Sequence, residues 1–127
     1  ATMAAKGIKP EVVYSADQEG PDGSTWGNLA KLATMVSGEL AQSALPPKAP
    51  LLITHPGLID RYQLTGFLKA LVASSKHDDA EATILLVPGH EGGQPKIEGR
   101  TVIPGLLPGQ SIRISRSWLT KQRKALA

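Results

Sequence analysis

Two short runs of consecutive apolar residues dominate the middle of the chain, at residues 51–54 and 83–88. Such runs are typical of strands that are buried on both faces. Between them, apolar residues recur at spacings of three and four over residues 59–72, which predicts an amphipathic helix. The order strand, helix, strand predicts a βαβ unit with parallel strands and a right-handed crossover.

The preceding segment extends this pattern toward the N-terminus. Residues 11–15 are β-branched and aromatic, which predicts a first strand. A helix capped by Ser24 or Thr25 follows, and its apolar stripe ends before Pro46, which cannot continue a helix. We therefore expect a three-layer, Rossmann-like α/β fold with a βαβαβ core and a mainly parallel sheet of four to five strands.

After residue 95 the predicted elements are shorter. Residues 96–103 favour a turn followed by a short strand, and the polar–apolar alternation over residues 111–114 favours another short or edge strand. A last short helix is expected through Trp118, with Ser115 or Ser117 as its cap.

Composition limits the classes of protein to which the chain can belong. Among 127 residues there is no cysteine, which excludes disulfides, cysteine-ligated zinc, iron–sulfur clusters and thiol catalysis. No apolar run approaches the roughly 20 residues of a membrane span, so we expect a cytoplasmic protein without membrane contact.

Residues 1–10 are expected to be disordered or the cut edge of a longer chain. Residues 11–127 are expected to form one α/β domain, the C-terminal domain of a larger protein, because the sequence has no initiator Met and no complete catalytic motif.

The net charge of +3 is unevenly distributed. Residues 96–127 contain seven bases and one acid, whereas residues 1–95 contain seven bases and ten acids. One interpretation is a basic surface for nucleic acid or an acidic neighbouring domain. The favoured interpretation is that these cations complement the dipole of a closing helix. The candidate contact residues are Arg113, Arg116, Lys121, Arg123 and Lys124.

The sequence contains no complete catalytic or cofactor motif. The Gly-rich residues 89–93 lack the spacing of a dinucleotide-binding loop, and no phosphate-binding P-loop is present. The three histidines lie in separate loops without metal-ligand spacing, so we expect no metal, no cofactor and no catalytic residue. A surface ion pair with Asp60 or Asp17 is the favoured role of Arg61, ahead of anion binding. If a ligand site exists, it is expected at the carboxyl edge of the sheet, where such folds place ligands. Its candidate residues are Asp17, His55, Arg61 and His90.

Several segments together carry a family resemblance. These are residues 15–26, 51–62, 83–88, 95–104, 108–110 and 117–119. Their order and spacing resemble the C-terminal region of the PglW-type serine/threonine kinases of phage-growth-limitation (BREX) defence systems, over about residues 12–120. The kinase Gly-rich loop and the V-A-I-K, H-R-D and D-F-G motifs are absent, so no kinase activity is carried over. The resemblance implies an accessory domain of a bacterial phage-defence protein.

Three functions follow as hypotheses. The first is a non-catalytic interaction domain that docks on neighbouring domains or on other defence-system subunits. The second is an enzyme fragment that binds a nucleotide or phosphate with loops at the carboxyl edge of the sheet. The third is a basic module that contacts nucleic acid.

Overall fold

A computed structural model describes residues 7–89 and 93–127. That part of the chain forms five helices and four short strands. In chain order they are α1 (Pro10–Glu19), α2 (Trp26–Ala44), β1 (Leu51–Ile53), α3 (Gly57–Arg61), α4 (Thr65–Ser74), β2 (Thr83–Leu85), β3 (Lys96–Ile97), β4 (Thr101–Val102) and α5 (Arg116–Leu126).

The segment predicted as the first strand is helix α1. Pro10 occupies the first helical turn, where its missing N–H has no intrahelical partner to lose, and Glu11 complements the positive end of the helix dipole. These helix-start signals prevail over the strand preference of the β-branched residues that follow. Val12 and Tyr14 are exposed on the helix surface instead of being buried in a sheet.

Helix α2 confirms the predicted amphipathic helix. It begins at Trp26, after Thr25 at the N-cap, and its last residue is Ala44, two positions before Pro46. The Thr25 hydroxyl donates to Glu19 instead of capping the helix. Helix α2 packs on both α1 and α4, with Leu29 buried.

The βαβ unit is present in a reduced form. Strands β1 and β2 pair in parallel, with Leu52 opposite Ile84, and the helical crossover between them is divided into α3 and α4. The division lies at Gln63, whose φ of 53° is left-handed and cannot belong to a continuous right-handed helix.

The predicted Rossmann-like fold with a four- to five-stranded parallel sheet is wrong. The strands described here form two separate two-stranded sheets, the parallel pair β1–β2 and the antiparallel hairpin β3–β4. In the hairpin turn Glu98 and Gly99 both have positive φ, of 51° and 70°, as tight hairpin turns require. The expected strand over residues 111–114 does not form. Consequently, in the part of the chain that the structure describes, the parallel sheet edge at which the ligand residues were expected to converge is reduced to the ends of β1 and β2.

A small core lies between α3, α4 and the hairpin. Its buried side chains are Ile59, Leu68, Leu71 and Ile97. Partly buried residues pack around it, among them Ile53 and Leu85 of the parallel sheet and Ile103 just after β4. Over the described residues, the longest and most apolar helices still fall short of what crossing a bilayer requires.

Candidate functional site

Two of the four candidate ligand residues meet in the structure. Asp17, on α1, accepts a hydrogen bond from Arg61 Nε at 2.8 Å, and its backbone carbonyl accepts one from Arg61 Nη2 at 2.8 Å. The hydroxyl of Tyr62 donates to the same carboxylate oxygen, Oδ1, at 2.5 Å. The ion pair proposed for Arg61 from the sequence is therefore formed with Asp17.

Aromatic contacts extend this cluster to α2. The rings of Trp26 and Tyr62 stack with centroids 5.2 Å apart and an interplanar angle of 16°. The guanidinium carbon of Arg61 lies 5.3 Å from the centre of the Trp26 ring.

Hydrogen bonds from Tyr62 and Arg61 lower the pKa of Asp17. The pKa of Tyr62 is raised, first by burial and then by its hydrogen bond to Asp17. Asp17 is thus a satisfied carboxylate that joins α1 to α3, and it is not placed as a free general base.

The two histidines of the candidate set do not join this cluster. His55 follows β1 in a left-handed conformation, with φ of 54°, and its Nδ1 lies 3.1 Å from Thr54 Oγ1. No hydrogen bond connects it to Asp17 or Arg61 within residues 7–89 and 93–127. His90 lies outside the described residues.

A second ion pair, which sequence reasoning missed, joins α3 to the β3–β4 hairpin. Asp60 is only 2% exposed, and its carboxylate accepts hydrogen bonds from Arg100 Nη2 and, at 2.7 Å, from the Thr101 hydroxyl. The Arg100 hydrogen bond, followed by that of Thr101, lowers the pKa of Asp60. The partners are 40 and 41 residues away in sequence, so no local pattern indicates the pair.

Both ion pairs border a groove of about 780 Å³. Its lining residues are Pro21, Trp26, Gly57, Asp60, Arg61, Gln63, Glu98 and Arg100. Each arginine is already paired with a carboxylate, so the groove lacks the uncompensated positive charge that would favour a phosphate. No group of three potential metal-ligating side chains occurs in the part of the chain that the structure describes.

The basic candidate residues belong to a C-terminal segment that is exposed throughout. Every residue from 111 to 127 is exposed, including the whole of α5. The Ser115 hydroxyl caps this helix by accepting a hydrogen bond from the backbone N–H of Trp118 at 3.2 Å. The candidate cations are Arg113 in the preceding segment and Arg116, Lys121, Arg123 and Lys124 on α5.

Helix α5 is amphipathic. At about 100° per residue, Trp118, Leu119 and Leu126 fall within one sector of about 100° around the helix axis. We call these three residues the α5 stripe. Lys121 lies on one side of the stripe and Arg123 on the other. Residues 99–127 contain no acid that would neutralise these cations locally.

Comparison with protein families, with curated proteins and with solved structures finds no match to this chain.

Proposed function

We propose that this chain is a non-catalytic interaction domain that docks on a protein partner through α5. The observation that carries the proposal is the exposure of the α5 stripe: Trp118 is 52% exposed, and Leu126 is 88% exposed. Three large apolar side chains aligned on one helix face, with cations beside them, fit the pattern of a helix that lies in an apolar groove of a partner.

The length of α5 supports the same conclusion. The helix has 11 residues, and isolated helices shorter than about 12–15 residues are marginal in water. In proteins, most helical stability comes from packing of an amphipathic face. No hydrogen bond or ion pair joins α5 to any described residue before Ser115, and every residue of α5 is exposed, so the described part of the chain leaves the apolar face of the helix largely uncovered.

The chemistry of α5 specifies the partner. The α5 stripe requires an apolar groove, and Lys121, Arg123 and Lys124 favour acidic side chains at its rim. The resemblance to the C-terminal region of PglW-type kinases supports a narrower form of the proposal. In that form, the partner is a neighbouring domain or another subunit of a bacterial phage-defence system.

The accessible surface of the chain is also large for its size. It measures 9628 Å², and the chain has a mass of 13.4 kDa. A folded monomer of that mass is expected to expose about 6,500 Å². Large apolar side chains such as Leu52, Ile84 and Leu126 contribute to this exposed surface, and exposed apolar patches are typical of interaction sites.

Affinity capture with the full chain as bait tests the proposal. We expect proteins captured by the wild-type chain to be lost with Leu119→Glu, which places a charge in the α5 stripe. They should be retained with Thr120→Glu, which adds the same charge on the polar side of the helix. Capture that is identical for all three baits would contradict docking through α5.

A second candidate function, contact with nucleic acid, is supported by the absence of acids from residues 99–127. Such binding would depend mainly on phosphate contacts and would weaken steeply with salt. Fluorescence anisotropy with labelled DNA and RNA, at low and high salt, tests it. Lys121→Ala and Lys124→Ala should reduce binding and its salt dependence, and an absence of binding at low salt would exclude this function.

A further inference from the structure

The parallel sheet has one covered face and one bare face. Ile53 and Leu85 point toward the core, whereas Leu52 and Ile84 lie on the opposite side, 61% and 56% exposed. These two residues face each other in the β1–β2 register, and Leu86 continues the same side of β2. Parallel sheets are normally covered on both faces, so this side lacks a layer.

Acidic side chains lie just before β2, at the end of the sheet where the bare face begins. Asp78, Asp79 and Glu81 lie in the loop that leads into β2, and all three are exposed. Among the described residues, none of the three carboxylates has an ion-pair partner. We call the apolar side and its acidic border together the open sheet face. It consists of Leu52, Ile84, Leu86, Asp78, Asp79 and Glu81.

The open sheet face matches the requirements of α5 in chemistry and in length. From Trp118 to Leu126 the α5 stripe spans about 12 Å at 1.5 Å per residue. From Glu81 to Leu86 the open sheet face extends about 17 Å at 3.3 Å per residue. An apolar stripe with cations beside it thus meets an apolar surface with carboxylates at one end.

We infer that α5 of one chain packs on the open sheet face of a second copy, and that the exchange is reciprocal in a symmetric dimer. The inference rests on the proposed function, because it names the partner that α5 binds. Within one chain the open sheet face and α5 are both exposed, so packing of α5 on its own chain would require the segment of residues 103–115 to rearrange, whereas a second copy supplies the same uncovered face. In a dimer with two-fold symmetry, the same contact forms twice, so the α5 stripe and the open sheet face of both chains are covered.

Disulfide crosslinking tests the geometry, because the chain has no cysteine of its own. A tagged chain with Ile84→Cys and an untagged chain with Leu119→Cys are mixed and oxidised. We expect a covalent pair of tagged and untagged chains. The control is Val12→Cys, an exposed apolar position on α1, which should not crosslink to Leu119→Cys.

A chain that carries both Ile84→Cys and Leu119→Cys should crosslink to other chains. Closure of that disulfide within single chains would overturn the inference in favour of self-packing.

Charge reversal tests the electrostatic match. One variant changes Lys121, Arg123 and Lys124 to Glu, and a second changes Asp78, Asp79 and Glu81 to Lys. Each variant alone would bring like charges together and should be monomeric by light scattering. An equimolar mixture should recover dimers, because each helix then meets a face of opposite charge. Mixtures that remain monomeric would contradict the inference.

A wild-type chain that is monomeric at every concentration would also overturn the inference. If Leu119→Glu still abolished capture of another protein, the proposed function would stand with a different partner. If Leu119→Glu changed neither self-association nor capture, both proposals would fail. For wild type that dimerises, we expect Leu119→Glu to weaken the dimer at least about tenfold and Thr120→Glu to leave it much closer to wild type.

Discussion

Asp60 is the clearest case in this chain of one side chain that links distant segments. Its carboxylate is buried, and hydrogen bonds from Arg100 and Thr101 lower its pKa below the ordinary value of 3.8. A group with a lowered folded-state pKa contributes stability that is fully present above its unfolded pKa and is lost as the pH falls through the folded pKa. The unfolding free energy should therefore decrease below about pH 4.

Asp60→Asn isolates this contribution. Because Asn carries no titratable charge, the variant should be less stable near neutral pH and should lose less stability on acidification. Urea unfolding at about pH 7 and about pH 3 measures both quantities. Asp17, whose pKa is also lowered, supplies a remaining pH dependence in the variant. Equal losses in the wild-type chain and in Asp60→Asn would contradict the assignment.

Tyr62 makes two separable contacts, a stack on Trp26 and a hydrogen bond to Asp17. Tyr62→Phe retains the stack and removes the hydrogen bond, so it should decrease the unfolding free energy by about 1 kcal/mol. Tyr62→Leu removes both contacts and should decrease it by about 1 kcal/mol more. Chemical denaturation followed by circular dichroism measures the two variants, and equal losses would show that the stack does not contribute.

At the scale of elements, α5 depends on its cap. Ser115 accepts a hydrogen bond from the Trp118 N–H, and every residue of the helix is exposed within the described chain. Ser115→Ala should reduce the population of this helix by the equivalent of about 1 kcal/mol, while Ser115→Asp should preserve it. Backbone NMR chemical shifts of residues 116–126 in the monomeric Leu119→Glu background measure this change. Unchanged shifts in Ser115→Ala would contradict it.

The sequence predicts some of these elements well, because their signals are local. The helical spacing after Trp26 and the stop at Pro46 define α2, and two apolar runs define β1 and β2. The strand predicted for residues 11–15 is wrong: these residues belong to helix α1, because short β-branched runs become strands only when another strand pairs with them. Pro10 begins a helix locally, and the strands that the structure describes pair only with one another.

For the candidate site as well, contacts between segments distant in sequence are the part that the sequence does not predict reliably. The sequence suggested Asp17 as one partner for Arg61, and the structure contains that pair. Arg100 did not emerge as the partner of Asp60, because the two residues are 40 positions apart and meet only when α3 packs on the β3–β4 hairpin. The stripe on α5 can be read from the sequence, whereas its exposure depends on tertiary structure.

At the scale of the whole molecule, the chain carries a small core and much uncovered apolar surface. Buried hydrophobic side chains are few among the described residues: four lie on α3, α4 and the hairpin, and Ala16 and Leu29 lie on α1 and α2. The outer side of the β1–β2 sheet and the α5 stripe lie outside this core. Association that covers both would add buried area to a domain whose own core is limited.

Stability should therefore depend on protein concentration. If dimers must dissociate before the chain unfolds, mass action raises Tm as the concentration increases, by roughly several degrees over a hundredfold range. Leu119→Glu should unfold at a Tm that is lower and depends less on concentration, because the charge disfavours packing of α5. Thr120→Glu should follow the wild-type dependence. Differential scanning calorimetry over this range makes the comparison. A wild-type Tm that does not change with concentration would mean that unfolding of the core is not coupled to α5.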